Sequence, residues 1–215
     1  MKKIILAITI AFLLHPFILL SQTKTTTCAQ YKKLSCPEKA WVVQHVFVAK
    51  KAWKITQFVR IQTDSIQKTT KLDKDDNGGQ VDAFRHAFWM ALLSQKINWR
   101  KAYRLGKAHE KGNYLDFKKH RMEEGSLPDK ISSDMDLWNN EIGLQIGKTY
   151  PCISADSLQS IVIEQILMGK MKIIKKNKVG LFLDAEGNII ENNQIKGKWE
   201  NTKVLVNSAF QKQKS

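Results

Sequence analysis

The sequence predicts a mainly α-helical single domain with a small C-terminal β-hairpin, and three observations predict it. Apolar residues recur three and four places apart through long stretches between residues 35 and 171, the period of a helix with one buried face. Start and stop residues punctuate that pattern, among them Ser35 ahead of Pro37 and Glu38, Asn98, and Ser154. Beyond residue 178 the period shortens, and apolar runs flank the turn-forming stretch Asp184-Ala185-Glu186-Gly187-Asn188. A chain of 215 residues can bury one sizeable core. With 43% hydrophobic and 26% charged residues it belongs with ordinary globular proteins, which excludes chain-wide disorder.

Taken in order, residues 1–21 read as an export signal: Lys2 and Lys3, an apolar run from Ile4 to Leu14, His15-Pro16, then Phe17 to Leu20 before Ser21. That run is short and interrupted for a permanent span, which needs about 20 apolar residues; cleavage near Ser21-Gln22 is the expectation, with an uncleaved anchor as the alternative. Residues 22–34, polar and Thr-rich, form a flexible arm. The helical domain covers 35–175. Its first helix starts at Ser35-Cys36-Pro37-Glu38 and runs to about Gln67, with Val42, Val43, Val46, Phe47, Ala49, Ala52, Trp53, Ile55 and Phe58 as its apolar face. Asp73 to Gly78 matches the opening of a calcium loop, but Phe84 stands where the bidentate Glu belongs, so a solvated turn is the better reading.

The second helix spans Val81 to Gln95 and ends before Asn98; the third spans Arg100 to Lys111, with Gly112-Asn113 as its stop. Tyr114 to Arg121 forms a short helix and Glu123 to Lys130 a surface loop. Ser132-Ser133 cap a fourth helix that extends to Lys148, and Ser154 caps a fifth that reaches Met171. Residues 176–215 hold the hairpin, a last helix over Trp199 to Phe210, and a fraying tail from Gln211.

The net charge is +15, and loss of Lys2 and Lys3 with the signal leaves +13. Such a balance favours anionic partners, which after export means phosphoester substrates or anionic envelope components; no motif for specific nucleic-acid recognition appears. Lys170, Lys172, Lys175, Lys176 and Lys178 make a candidate anion-contact patch, or simply a solvated helix end. Cys28, Cys36 and Cys152 allow one disulfide in three pairings, and no C-x-x-C zinc pattern is present.

Chemistry concentrates in three polar signatures: D-A-F-R-H at Asp82 to His86, G-K-A-H-E at Gly106 to Glu110, and D-L-W-N-N at Asp136 to Asn140. Asp82 and His86 share a helical face four residues apart, and Asp136 lies over Asn139 and Asn140 in the same way. Asp82, His86, His109 and Asp136 are ligands that zinc or manganese would accept, with Glu110 as a base toward metal-bound water and Arg85 and Lys107 to steady a phosphate. A metal-free variant uses Asp82 to orient His86 as general base, with Asn139 or Asn140 toward an oxyanion. No nucleophile elbow accompanies it. Against both stands a structural polar network, in which Ser133 and Asp136 form a capping pair and Asn139 and Asn140 a hydrogen-bond ladder. His45 and His120 have no such company.

The order G-G-Q-V-D-A-F-R-H-A-F-W at Gly78 to Trp89, L-G-K-A-H-E at Leu105 to Glu110 and M-D-L-W-N-N at Met135 to Asn140, with Gly143 and Gly147 beyond, resembles a bacterial family of exported or envelope-associated helical domains of unknown function. The resemblance covers about Ser35 to Pro151. Trp138 stands where that family often has His. It implies a shared domain and a shared polar centre, and no activity. The functional expectation is an exported protein of uncharacterised activity, periplasmic, envelope-associated or secreted, whose side-chain chemistry alone points to a metal-dependent hydrolase of phosphoester or related anionic substrates. The alternative is a non-catalytic envelope-binding module.

Overall fold

The computed structural model describes residues 27–122 and 127–210. The predicted export signal, the first part of the arm, residues 123–126 of the surface loop and the tail from Gln211 lie outside them. Of the described residues, those up to Lys33 and those from Leu34 on belong to different units. In the first, part of the expected flexible arm is a short helix, α1 (Thr27–Lys33), with Lys32 and Lys33 at the negative end of its dipole.

The second unit is mainly α-helical with a small two-stranded antiparallel sheet toward the C-terminus, as the sequence predicts. Its elements are α2 (Cys36–Gln44), α3 (Val46–Gln67), α4 (Gln80–Ile97), α5 (Trp99–Lys118), α6 (Lys130–Thr149), α7 (Ala155–Leu167), β1 (Lys172–Ile174), α8 (Asn192–Ile195) and β2 (Leu205–Asn207). No described helix is long and apolar enough to cross a membrane. The helix α4 is the hub. Val81, Ala83, Phe84, Ala87, Phe88, Ala91 and Leu93 are wholly buried along it, against α3, α5, α6 and α7. Phe84 and Phe88 stack at 5.2 Å between ring centroids, and Val59, Leu158, Val162 and Ile166 close the core around them.

Two helix starts follow the local sequence. Ser35 and Glu38 form a reciprocal capping box on α2, and Ser154 caps α7. Elsewhere distant contacts override local signals. The first helix is broken at His45, whose φ of −131° and ψ of 38° leave the helical region. The break turns Val43, Val46 and Phe47 into solvent, Phe47 being 99% exposed, so these three are not core. The third helix runs through Gly112-Asn113 to Lys118, because Gly112 lies against Ser35, where a Cβ would come within 2.4 Å of its Oγ. Asp129, not Ser132 or Ser133, caps α6 by accepting from the Ser132 N–H at 2.8 Å. Asp136 is thus inside the helix and has no capping duty.

The C-terminal segment departs furthest from expectation. The expected hairpin survives only as isolated bridges, Lys176 with Phe182 and Leu183 with Ile189. The true sheet pairs β1 with β2, across residues where a last helix was expected, in the register Ile173 opposite Val206. Strand pairing of this kind is decided by the partner brought alongside, and local periodicity does not encode it. Lys175 and Lys176 are buried beneath this segment, so the anion patch loses two of its members. Lys175 Nζ donates to the carbonyls of Asp184 and Ala185, and Lys176 Nζ to the Asp75 carboxylate at 2.8 Å. The calcium-like loop is likewise committed inward: Asp73 accepts from the N–H groups of Asp75 and Gln80. Cys36 and Cys152 are exposed free thiols.

Candidate functional site

The polar centre is built where α4 and α6 touch. Gly143 and Gly147 press α6 onto the backbone of α4, so closely that a Cβ would fall 2.1 Å from the carbonyl of Ala87 and 2.3 Å from that of Ala91. Residue 143 faces 87 and residue 147 faces 91, so the two helices run parallel. One to two turns before these glycines, α6 carries Asp136, Asn139 and Asn140, and side chains of both helices lean toward their N-termini. The helix geometry therefore delivers Asp82 and His86 from one helix to Asp136 and Asn140 from the other.

Asp82, His86 and Asp136 are all buried, and one ligand atom from each lies within 4.8 Å of the others. His86 Nε2 is 3.3 Å from Asp136 Oδ1 and 3.5 Å from Asp82 Oδ1. Arg85 Nη2 stands among them, 2.5 Å from Asp82 Oδ1 and 3.2 Å from His86 Nε2. Nε2 therefore faces a guanidinium as well as two carboxylate oxygens. Burial, then the charges of Arg85 and His109, holds His86 well below the usual imidazole range, although Asn140 beside the ring works the other way. Burial also raises the Asp82 carboxyl, against the pull of Arg85 and of the Gly78 N–H.

Gly78 ties this centre to the sheet. Its N–H donates to Asp82 Oδ2 at 2.7 Å, its carbonyl accepts from Ile174 N at 2.7 Å, and its φ of +86° favours glycine. Asn139 makes a second tie, with Nδ2 on the carbonyl of Lys172 and Oδ1 on its N–H, both at 2.9 Å. Asn139 is thus a backbone clamp on β1.

The remaining predicted residues divide. Glu110 is buried on α5 and accepts from Asn113 Nδ2 at 3.2 Å. The C-terminal end of α5, through Tyr114 and Phe117, and the start of α6 both meet Trp199, so these helices run antiparallel. Gly106 lies beside Asn140, which puts Glu110 level with Asp136. His109 is elsewhere: its Nδ1 is 3.1 Å from Glu38 Oε1, and its ring centroid is 6.4 Å from that of His86. Trp138 is half exposed, donating to the carbonyl of Lys170 under the ammonium of Lys172.

Sequence reasoning missed Glu38 and the aromatic wall of a cavity of about 180 Å³ that opens beside His86. Glu38 looked like a helix-start acid, and it is one, but its carboxylate also holds His109. Burial pushes the Glu38 carboxyl up, yet His109 and Ser35 outweigh it and leave the group below its ordinary range. The sequence places Trp53 on the apolar face of the first helix; that it lines a space with Trp41 and Trp89 is not legible there.

Fold and site define a small helical domain with a buried carboxylate–imidazole centre open on one side to a cavity. The chain belongs to the DUF6973 family, a domain of unknown function, whose profile matches residues 39–172. That span contains Asp82, His86, Glu110 and Asp136. No curated protein and no solved structure matches the chain.

Proposed function

We propose that this protein is an exported, divalent-metal-dependent hydrolase of phosphoesters or related anionic substrates. The observation that supports it is the convergence of three lone-pair donors, Asp82 Oδ1, His86 Nε2 and Asp136 Oδ1, on one buried point. In the unliganded chain Arg85 is the cation among these acceptors; with its guanidinium turned to the cavity, two carboxylates and a neutral imidazole would suit zinc or manganese. Three protein ligands leave positions open, and a bound divalent ion would supply a water of lowered pKa. Arg85, which now bridges Asp82 and His86, also lines the cavity, where its guanidinium would meet the substrate anion. In that reading Glu110, level with Asp136, would take the proton of the attacking water and return it to the leaving oxygen as the ester P–O bond breaks, so that the alcohol departs.

The test is metal content by mass spectrometry and thermal melts with added manganese or zinc, on wild type and Asp136→Asn. That variant spares the Gly78 and Arg85 contacts of Asp82. A ligand at 100 times its Kd adds about 2.7 kcal/mol, which for a chain of this size is roughly 5–10 °C in Tm. Wild type should shift and Asp136→Asn should not. A metal-free wild type with no shift would overturn the proposal.

A second reading has its own support. Asp82 already holds the Gly78 N–H and Arg85, and Asn139 already holds β1, as a purely structural network would. A non-catalytic module binding anionic envelope components through its lysines then follows. It is expected to bind anionic polymer with a steep loss at high salt and to ignore metal.

A further inference from the structure

The cavity beside His86 lies between α2, α3, α4 and α5 and has two chemically distinct parts. Its body is carbon: Trp41 from α2, Ala52, Trp53 and Val59 from α3, Trp89 from α4 and Leu105 from α5. Two of the three indoles have their N–H groups tied into the protein, Trp41 Nε1 on the carbonyl of Lys101 and Trp89 Nε1 on Thr56 Oγ1, each at 3.0 Å. Thr56 in turn donates its hydroxyl to the carbonyl of Ala52. What these groups offer to the space is therefore ring and methyl surface.

The rim is polar and carries more basic than acidic groups. Arg60, Arg85, His86, His109 and Glu38 border it. Glu38, the single acid among them, accepts from Ser35 N and Ser35 Oγ at 2.8 and 2.7 Å and faces His109 Nδ1 at 3.1 Å. Its charge is thus committed within the wall. Arg60 and Arg85 bring two guanidinium groups to the mouth, and Arg85 also reaches the Asp82, His86 and Asp136 centre, where it donates to Asp82 Oδ1.

Size sets the rest. A dry cavity of about 150 Å³ accepts a benzene ring, so about 180 Å³ accommodates one aromatic ring or a short alkyl chain. We infer that the cavity binds a small amphipathic phosphate anion, with an aryl or short alkyl group against Trp41, Trp53 and Trp89 and its phosphate toward Arg85 and Arg60. As the substrate class of the enzyme, an aryl or short-chain alkyl phosphomonoester, this rests on the hydrolase reading. The binding itself rests on the cavity alone.

The tryptophans provide the readout. Phenylphosphonate, which has no ester bond to hydrolyse, is titrated into the full mature chain while intrinsic fluorescence is followed, with and without manganese. Methylphosphonate and benzylamine serve as the head-only and charge-reversed probes. Saturable fluorescence change with phenylphosphonate, at least tenfold tighter than with methylphosphonate and absent with benzylamine, is the expected result. Ala49→Leu, at a partly buried position on the cavity wall, should weaken binding at least fivefold by filling the space. Arg60→Gln, at an exposed rim position, should weaken it several-fold. Equal affinity for the phenyl and methyl probes, or indifference to both substitutions, would overturn the inference. Phenylphosphonate binding by a chain that takes no metal would keep the cavity and sink the hydrolase. Metal uptake with no response to phenylphosphonate would do the reverse.

Discussion

Two histidine–carboxylate pairs face each other across the same cavity, and they behave differently. His86 is buried between Asp82 and Asp136 with its ring held neutral, while His109, about a quarter exposed, faces Glu38, whose carboxyl is lowered in return. The ring centroids are only 6.4 Å apart. The difference is one of desolvation. Where water is removed from both sides, a charged imidazole is too costly and the ring stays neutral. Where water reaches one side, a conventional acid–histidine contact persists and serves as a wall.

The comparison can be broken most severely at Asp82. Its Oδ2 holds the Gly78 N–H and its Oδ1 holds Arg85, so Asp82→Ala leaves buried donors without their acceptor and is expected to cost about 3–5 kcal/mol. Urea denaturation checks this, and a loss below 1 kcal/mol would mean that the centre is wetter than its burial implies. Next comes Gly143→Ala. The added methyl meets the Ala87 carbonyl and is expected to cost about 1–3 kcal/mol through overpacking. It should also part α6 from α4, so that on the hydrolase reading metal affinity should fall with stability, while the Glu38–His109 pair on α2 and α5 is untouched.

The pH response sharpens the contrast. The folded His86 binds its proton below the unfolded value of about 6.5, so the unfolded state holds more protons as pH falls through that value. Stability is therefore expected to decline below about pH 6.5, and His86→Asn should flatten that part of the profile. Glu38 has a lowered folded pKa, so its contribution is present above about pH 4.3 and is lost as pH falls through the folded value. Glu38→Gln is the smallest change: loss of a partly exposed ion pair and half a capping box, about 1 kcal/mol, with the His86 limb of the profile unaltered. If both limbs vanish together, the two pairs titrate as one unit.

The sequence by itself determined the helical class, the capped starts at Ser35 and Ser154, the break at Asn98 and the placement of Asp82 with His86 on one face of one helix. These follow from spacing and from short-range hydrogen bonding, which act within a turn or two of chain. Only the tertiary structure decided that Asp136 reaches His86 while His109 turns to Glu38, because the close approach of α6 to α4 at Gly143 and Gly147 sets which side chains share a space. It also decided the pairing of β1 with β2, the burial of Lys175 and Lys176, and the exposure of Phe47 beyond the break at His45. Periodicity states that a face is covered; the partner that covers it, and the gap left between three tryptophans, arise only when helices far apart in sequence pack.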